Sequence, residues 1–212
     1  MAILQGKNVR IEMQSTLGSD LTVTGVTKAS PGVATSTAHG LANGDVVVFK
    51  SVSGMTELDG QAVRVANVAA NTFELEGLDT TNFGTFVSGT ANEVTAWTTI
   101  GQVQSIEAEQ ANPNRIDVTT LADNEKQYVF GLADTANITL NALYDPSLAS
   151  HIAIKAASDA NAARTFRFTF GTPKVIGNFY VTGGDGFSMA QNDVAKTRYG
   201  LSSIKRRMNY AS

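Results

Sequence analysis

The chain of 212 residues is long enough for one generous domain or two small ones, and 42% hydrophobic with 17% charged residues is a globular composition with a lightly charged surface. A formal charge of −3 exerts no global pull on DNA, RNA or acidic membranes. With no cysteine in the chain, disulfides, thiol catalysis and cysteine-ligated zinc are excluded.

No run of eighteen or more apolar residues is present, so no membrane span is expected. The opening "MAILQGKNVRIEMQ" lacks the charged-then-apolar pattern of a secretion signal, and the expectation is a soluble protein made and folded inside a cell. Nineteen glycines among many Thr, Val and Asn residues favour strands joined by turns over helices.

Residues 7–14, "KNVRIEMQ", read as a first strand with Val9 and Ile11 pointing inward. From about residue 22 the texture turns to Thr, Ser, Ala and Gly, with short strands at 46–49, 62–68 and 72–77. Asn43-Gly44 and Ala70-Asn71 sit where the chain must reverse, and asparagine tolerates left-handed dihedrals there. Residues 22–94 thus read as a compact all-β module inserted between residues 1–21 and 95–212. Charge agrees with such a division. Between 26 and 92, Lys28, Lys50 and Arg64 face Asp45, Glu57, Asp59, Glu74, Glu76 and Asp79, which is the whole excess of the chain. Trp97, the sole tryptophan, falls at the return from insert to core as a packing residue.

Beyond it, residues 98–110 read as a strand with Ser105, Glu107 and Glu109 on one face and Ile106 and Ala108 on the other. Residues 111–131 read as a long loop. Next, "ADTANITLNALYD" (133–145) alternates: Ala136, Ile138, Leu140 and Ala142 are dry, and Thr135, Asn137, Thr139 and Asn141 are wet without a single charge. Asp145 before Pro146 reads as a helix start, with an apolar stripe of Leu148, Ile152 and Ala156 on the only substantial helix. "RTFRFTF" (164–170) alternates again, with its three phenylalanines dry. "TGGDG" (182–186) reads as a hairpin turn, and the chain closes on a basic stretch containing Lys205, Arg206 and Arg207.

The run "IDVTTL…EK…GLADTANITLNALYDP", residues 116–146, together with "IGQVQSIEAEQ" before it and "FRFTF" and "YGLSSI" after it, resembles the major tail tube proteins of long-tailed bacteriophages. The resemblance covers residues 1–20 and 95–212. The insert is similar to small β-barrel repeats of phage virion proteins, themselves similar to the FCCH domain of ubiquitin-activating enzymes. "HGL", "GD", "GMTELDG" and "NTFEL" carry that likeness, which implies a fold and no ubiquitin chemistry.

The resemblance implies a mainly β protein: two packed antiparallel sheets with one flanking helix, like the tubes of type VI secretion, plus the small barrel on the outside of the tube. It implies a structural virion protein, made in the bacterial host cytoplasm and assembled into the virion tail. Hexameric rings would stack into a conduit for the genome. Implied partners are the chain itself, tape-measure and tail-tip or terminator proteins, and double-stranded DNA passing without being held.

In such a tube, Thr135, Asn137, Thr139, Asn141, Glu107 and Glu109 would line the bore, wet without gripping phosphate. The alternative for these residues is an ordinary solvent face of a half-exposed sheet. Residues 111–131, with Asn114, Arg115, Asp117, Asp123, Glu125 and Lys126, would reach a neighbouring subunit, or else form a mobile surface loop. Lys205, Arg206 and Arg207 would meet the next ring, or form a solvated tail.

Enzymatic chemistry is not expected. His39 and His151 are the only histidines and neither has a second ligand at metal spacing. No G-x-S-x-G elbow, phosphate-cradling GxxxxGK[ST] loop or H-E-x-x-H helix occurs, and no cofactor or metal is expected. Two readings compete with the tube: a virion surface adhesion or carbohydrate-binding module anchored to the tail, and a small hydrolase of unrecognised type. Deleting residues 26–92 is expected to leave a core that assembles.

Overall fold

In the computed structural model, residues 9–109, 112–133 and 135–211 are described, and they form strands almost throughout. In chain order these are β1 (Val9–Val23), β2 (Gly25–Val26), β3 (Val33–Thr35), β4 (Val46–Ser53), β5 (Ala62–Ala66), β6 (Thr72–Leu75), β7 (Ser88–Thr99) and β8 (Val103–Ala108). Then come β9 (Pro113–Asp117), β10 (Tyr128–Ala133), β11 (Asn137–Leu143), the helix α1 (Ala149–Asp159), β12 (Ala163–Phe170), β13 (Lys174–Ser188), β14 (Lys196–Ser203) and β15 (Met208–Tyr210). The chain is mainly β with one flanking helix, as the sequence implied.

One antiparallel ladder runs β2-β3-β6-β5-β4-β7-β1-β12-β13-β14-β11-β8, with β15 on β13, while β9 and β10 pair only with each other. Because β2 follows β1 after a single residue, the path from β1 through β7, β4, β5, β6 and β3 returns to its own start. That closure makes a small barrel, packed with Phe49, Met55, Leu58, Phe73 and Leu75, all fully buried. A second core lies between α1 and the remaining strands, built from Leu140, Ile154, Phe166, Phe168, Phe179 and Tyr199. Its three phenylalanines meet at edge-on and stacked angles, 5.8–6.2 Å apart.

β1 and β7 serve both parts. They pair from Glu12↔Thr99 to Val23↔Gly89, with register shifts between Gln14 and Asp20. The first strand therefore runs well past the expected residue 14: bulged residues break the period-two pattern that marks a strand in sequence. Around Glu12 both faces are covered, since Ile11 and Met13 are buried and so are Glu12 and Gln14. In the barrel turns, positive φ falls on Gly44 and Asn67. Asn43 and Asn71 instead use their side-chain carbonyls, which accept the N–H groups of Val68 and Ala38.

The helix differs from expectation. It starts at Ala149 with no side-chain cap, and Asp145 instead closes a turn before it, accepting the Ser147 N–H at 3.0 Å and hydroxyl at 2.6 Å. Its buried face is Ser150, His151, Ile154 and Ala157, while Ile152 is 55% exposed and Ala156 is on the outside. Both stripes have helical spacing. The one containing small Ser150 and Ala157 lets the helix sit close on the sheet, so packing selects it over the more apolar one.

"TGGDG" is not a hairpin turn. β13 passes through it, with a register shift between Gly183↔Tyr199 and Phe187↔Thr197. Gly183 and Gly184 have φ of 86° and 106°, and a Cβ on Gly183 would lie 2.8 Å from the Arg198 carbonyl oxygen. The glycines permit a bulge and a close backbone approach, and the chain reverses only after Ser188.

Candidate functional site

β13 belongs to two layers. Its first half pairs with β12, from Thr169↔Lys174 to Ala163↔Tyr180, and its second half pairs with β14, from Phe179↔Ser203 to Ser188↔Lys196. The second half of β13, then β14, β11 and β8, form a four-stranded layer. Its dry side is Ile138, Leu140, Ala142, Val181, Tyr199 and Leu201, all buried.

The opposite side carries the sequence-predicted residues together. Glu107 stands opposite Thr139 and Ser105 opposite Asn141. The Asn141 amide donates to the Ser105 hydroxyl at 2.9 Å and to Glu107 at 3.1 Å. Across the other edge of β11, the Ser202 hydroxyl donates to Asn137 at 2.9 Å and Arg198 donates to Thr139 at 3.4 Å. Glu109 lies one residue past β8, its N–H donating to the Asn137 carbonyl, and exposed Thr135 precedes β11. Sequence reasoning missed the contribution of β14. "KTRYGLSS" alternates as cleanly as β11, and it places Arg198 and Lys196 on this face, so the face is not free of positive charge.

This layer has two open edges. β8 ends the ladder, and beyond Tyr180 the β12 side of β13 has no partner strand among the described residues.

Residues 111–131 contain no structureless loop. β9 and β10 form a hairpin, with Tyr128↔Asp117, Val129↔Ile116 and Phe130↔Arg115 in register. Asn114, Arg115 and Asp117 sit on β9, and Asp123, Glu125 and Lys126 in the connecting turn, all exposed. Both faces of this hairpin meet solvent, so neither strand shows the one-sided alternation that reveals strands in sequence. Thr119 and Thr120 donate to Asp117 and Asp123, and these hydrogen bonds hold both carboxyls below the usual aspartate range. The Arg115 guanidinium lies 4.1 Å from the Tyr128 ring centre.

Nor do Lys205, Arg206 and Arg207 form a free tail. They bulge between β14 and β15, both of which pair with β13. Lys205 donates to the Thr56 carbonyl at 3.2 Å, and the Arg206 carbonyl accepts from Gln61 at 3.0 Å. Met208 and Tyr210, buried on either side of exposed Asn209, supply the strand pattern that the preceding charges obscured.

The histidines are structural. His39 receives the Leu41 N–H on Nδ1 at 3.1 Å and faces the Ala69 carbonyl with Nε2 at 3.0 Å, which fixes the proton on Nε2. His151 is buried against Tyr199 with Nε2 3.3 Å from the Gly101 carbonyl. In the barrel, Phe49 and Phe73 are fully buried and Phe83 and Phe86 half-buried, while Trp97 packs beneath the Arg167 guanidinium.

A 68-residue stretch is 41% identical to ubiquitin-like modifier-activating enzyme 1 of Oryctolagus cuniculus, over 30% of this chain and 6% of that protein. The chain therefore spans only a small fraction of the length of this curated relative. Among solved structures, the tail of an empty GTA particle, obtained by helical refinement with C6 symmetry, is similar at 17% identity and a TM-score of 0.42, covering 54% of this chain and 87% of that one. The family model described as phage tail tube protein, TTP, matches residues 53–212, three quarters of the length. By that match the chain belongs to the phage tail tube protein family, and its role is a structural one in the tail.

Proposed function

We propose that this protein polymerises as hexameric rings, stacked into a tube through which the phage genome leaves the virion. The observation that carries the reading is the four-stranded layer open at both ends, at β8 and at the second half of β13. An unpaired strand edge is a template for another strand. Two different edges on opposite sides of one layer join head to tail, and such a contact closes into a ring when its rotation fits. Six layers joined this way make one continuous barrel with no exposed edge.

The polar face of that barrel is the bore, lined by Glu107, Glu109, Thr135, Asn137, Thr139 and Asn141, with Arg198 beside them. Cations that neutralise phosphates add salt-sensitive affinity, and a basic bore would hold the genome. Here Arg198 is engaged by Thr139, and the carboxylates of Glu107 and Glu109 set the opposite sign beside it. Residues 1–21 and 95–212 form the tube wall. Residues 22–94 form the barrel on its outside, tape-measure and tail-tip or terminator proteins are the other partners, and the rings are assembled in the host cytoplasm.

The test is a virion whose tube carries Glu107→Lys with Glu109→Lys. Tails should assemble, with DNA release slowed and made strongly dependent on salt. Release at the wild-type rate at every salt concentration would sink the assignment of this face to the bore.

A further inference from the structure

The β9–β10 hairpin carries an apolar surface with nothing beneath it. Ile116 stands opposite Val129 with Val118 next on the same face, and these side chains are 49%, 53% and 44% exposed. On the other face Phe130 and Leu132 are more exposed still. A lone two-stranded hairpin is at best marginally stable in water, and a contiguous apolar patch marks a contact surface. The turn that ends the hairpin is acidic, with Asp117, Asp123 and Glu125, while Arg115 is occupied by Tyr128.

A matching surface lies at the foot of the core. A groove of about 700 Å³ has apolar walls that include Ile106, Phe170 and Val175, and a rim of Lys205, Arg206 and Arg207. An aliphatic strip ending in acids fits an apolar groove ending in bases, in both shape class and charge.

We infer that the β9–β10 hairpin of one copy seats in this groove of the copy beside it in the same ring. The inference rests on the ring assembly proposed above. Its direction follows from topology. Ala108 and Ala136 also line the groove, and they immediately flank the two ends of the hairpin segment. Groove and hairpin root therefore share one end of the subunit. Stacked rings bring opposite ends together, whereas side-by-side copies bring like ends level. The groove is thus within reach of a lateral neighbour's hairpin, and each copy both gives and receives one clasp around the ring.

The absence of cysteine makes a cross-linking test clean. Leu121→Cys in the exposed hairpin turn and Asn209→Cys in the groove are made as separate variants, mixed, assembled and oxidised. The expected product is a disulfide between the two variants, formed in isolated rings before stacking. Arg206→Glu with Arg207→Glu should lower its yield about tenfold, and adding Asp123→Lys with Glu125→Lys on the hairpin should restore it. Rings that form without the mixed disulfide overturn the clasp and leave the tube reading standing. So does a disulfide that appears only in stacked tubes, or one that closes within a single chain carrying both cysteines. A protein that forms no ring under any condition overturns both.

Discussion

The backbone N–H of Arg64, on the barrel strand β5, donates a 2.8 Å hydrogen bond to the hydroxyl of Tyr210, which lies 146 residues later on β15. The Arg64 guanidinium also lies 4.4 Å from the Tyr210 ring centre and is paired with Glu76. One contact thus ties the last strand of the sheet to the barrel. Tyr210→Phe keeps the ring and strands a buried amide donor. It should destabilise the protein by about 1–3 kcal/mol, read from the midpoint of urea unfolding, and no shift would mean that water replaces the hydroxyl.

The same residue gives a pH signature. Burial pushes the Tyr210 phenol up to about 12 from its ordinary value of 10.0. A raised value means the fold favours the neutral phenol, so this contribution is fully present below pH 10 and is lost as pH rises from 10 towards 12. Tyrosinate absorbance should show one phenol that ionises late, together with falling stability in that window. Its late component should vanish in Tyr210→Phe.

Glu12 is a buried carboxylate held by two arginines, Arg10 at 2.8 Å and Arg167 at 2.7 Å, with Arg167 resting over Trp97. Breaking a buried pair leaves an uncompensated charge, which is worse than never having had the pair. Glu12→Gln should therefore cost about 3 kcal/mol in a urea titration. A cost within that of a surface substitution would show that the arginines turn out to solvent.

Ile176, Met208 and Tyr210, from the sheet, pack in the same apolar cluster as the barrel residues. Deleting residues 26–92 uncovers them, so the simple deletion should give an aggregating core, contrary to the expectation from sequence. The same deletion with Met208→Thr and Tyr210→Thr should be soluble and should still form rings by electron microscopy. Aggregation of both versions would show that the barrel and the wall fold as one unit.

Strands with one dry face were legible in the sequence: β11 and β12 needed only their alternation, and the barrel strands only their Val and Phe runs between Asn- and Gly-bearing turns. What escaped reading has a common cause, in that local pattern is blind to what covers a residue. β1 hid its length in bulges, β13 hid a bulge behind glycines that look like a turn, and the β9–β10 hairpin has no covered face to betray it. The helix offered two stripes, and only the neighbouring sheet could choose between them. Of the polar face, the β8 and β11 residues were found and Arg198 was not, because a charge in a basic C-terminal run draws no notice until register places it opposite Asn141.

The central claim is that this chain builds a hollow tube from rings joined at the open edges of one layer. Negative-stain electron microscopy of the purified protein across a concentration series tests it most directly. The account predicts hollow rings with outward knobs at low concentration and tubes of the same bore at high concentration. A protein that stays monomeric at every concentration, and in the presence of the tail-tip and tape-measure proteins, would contradict it.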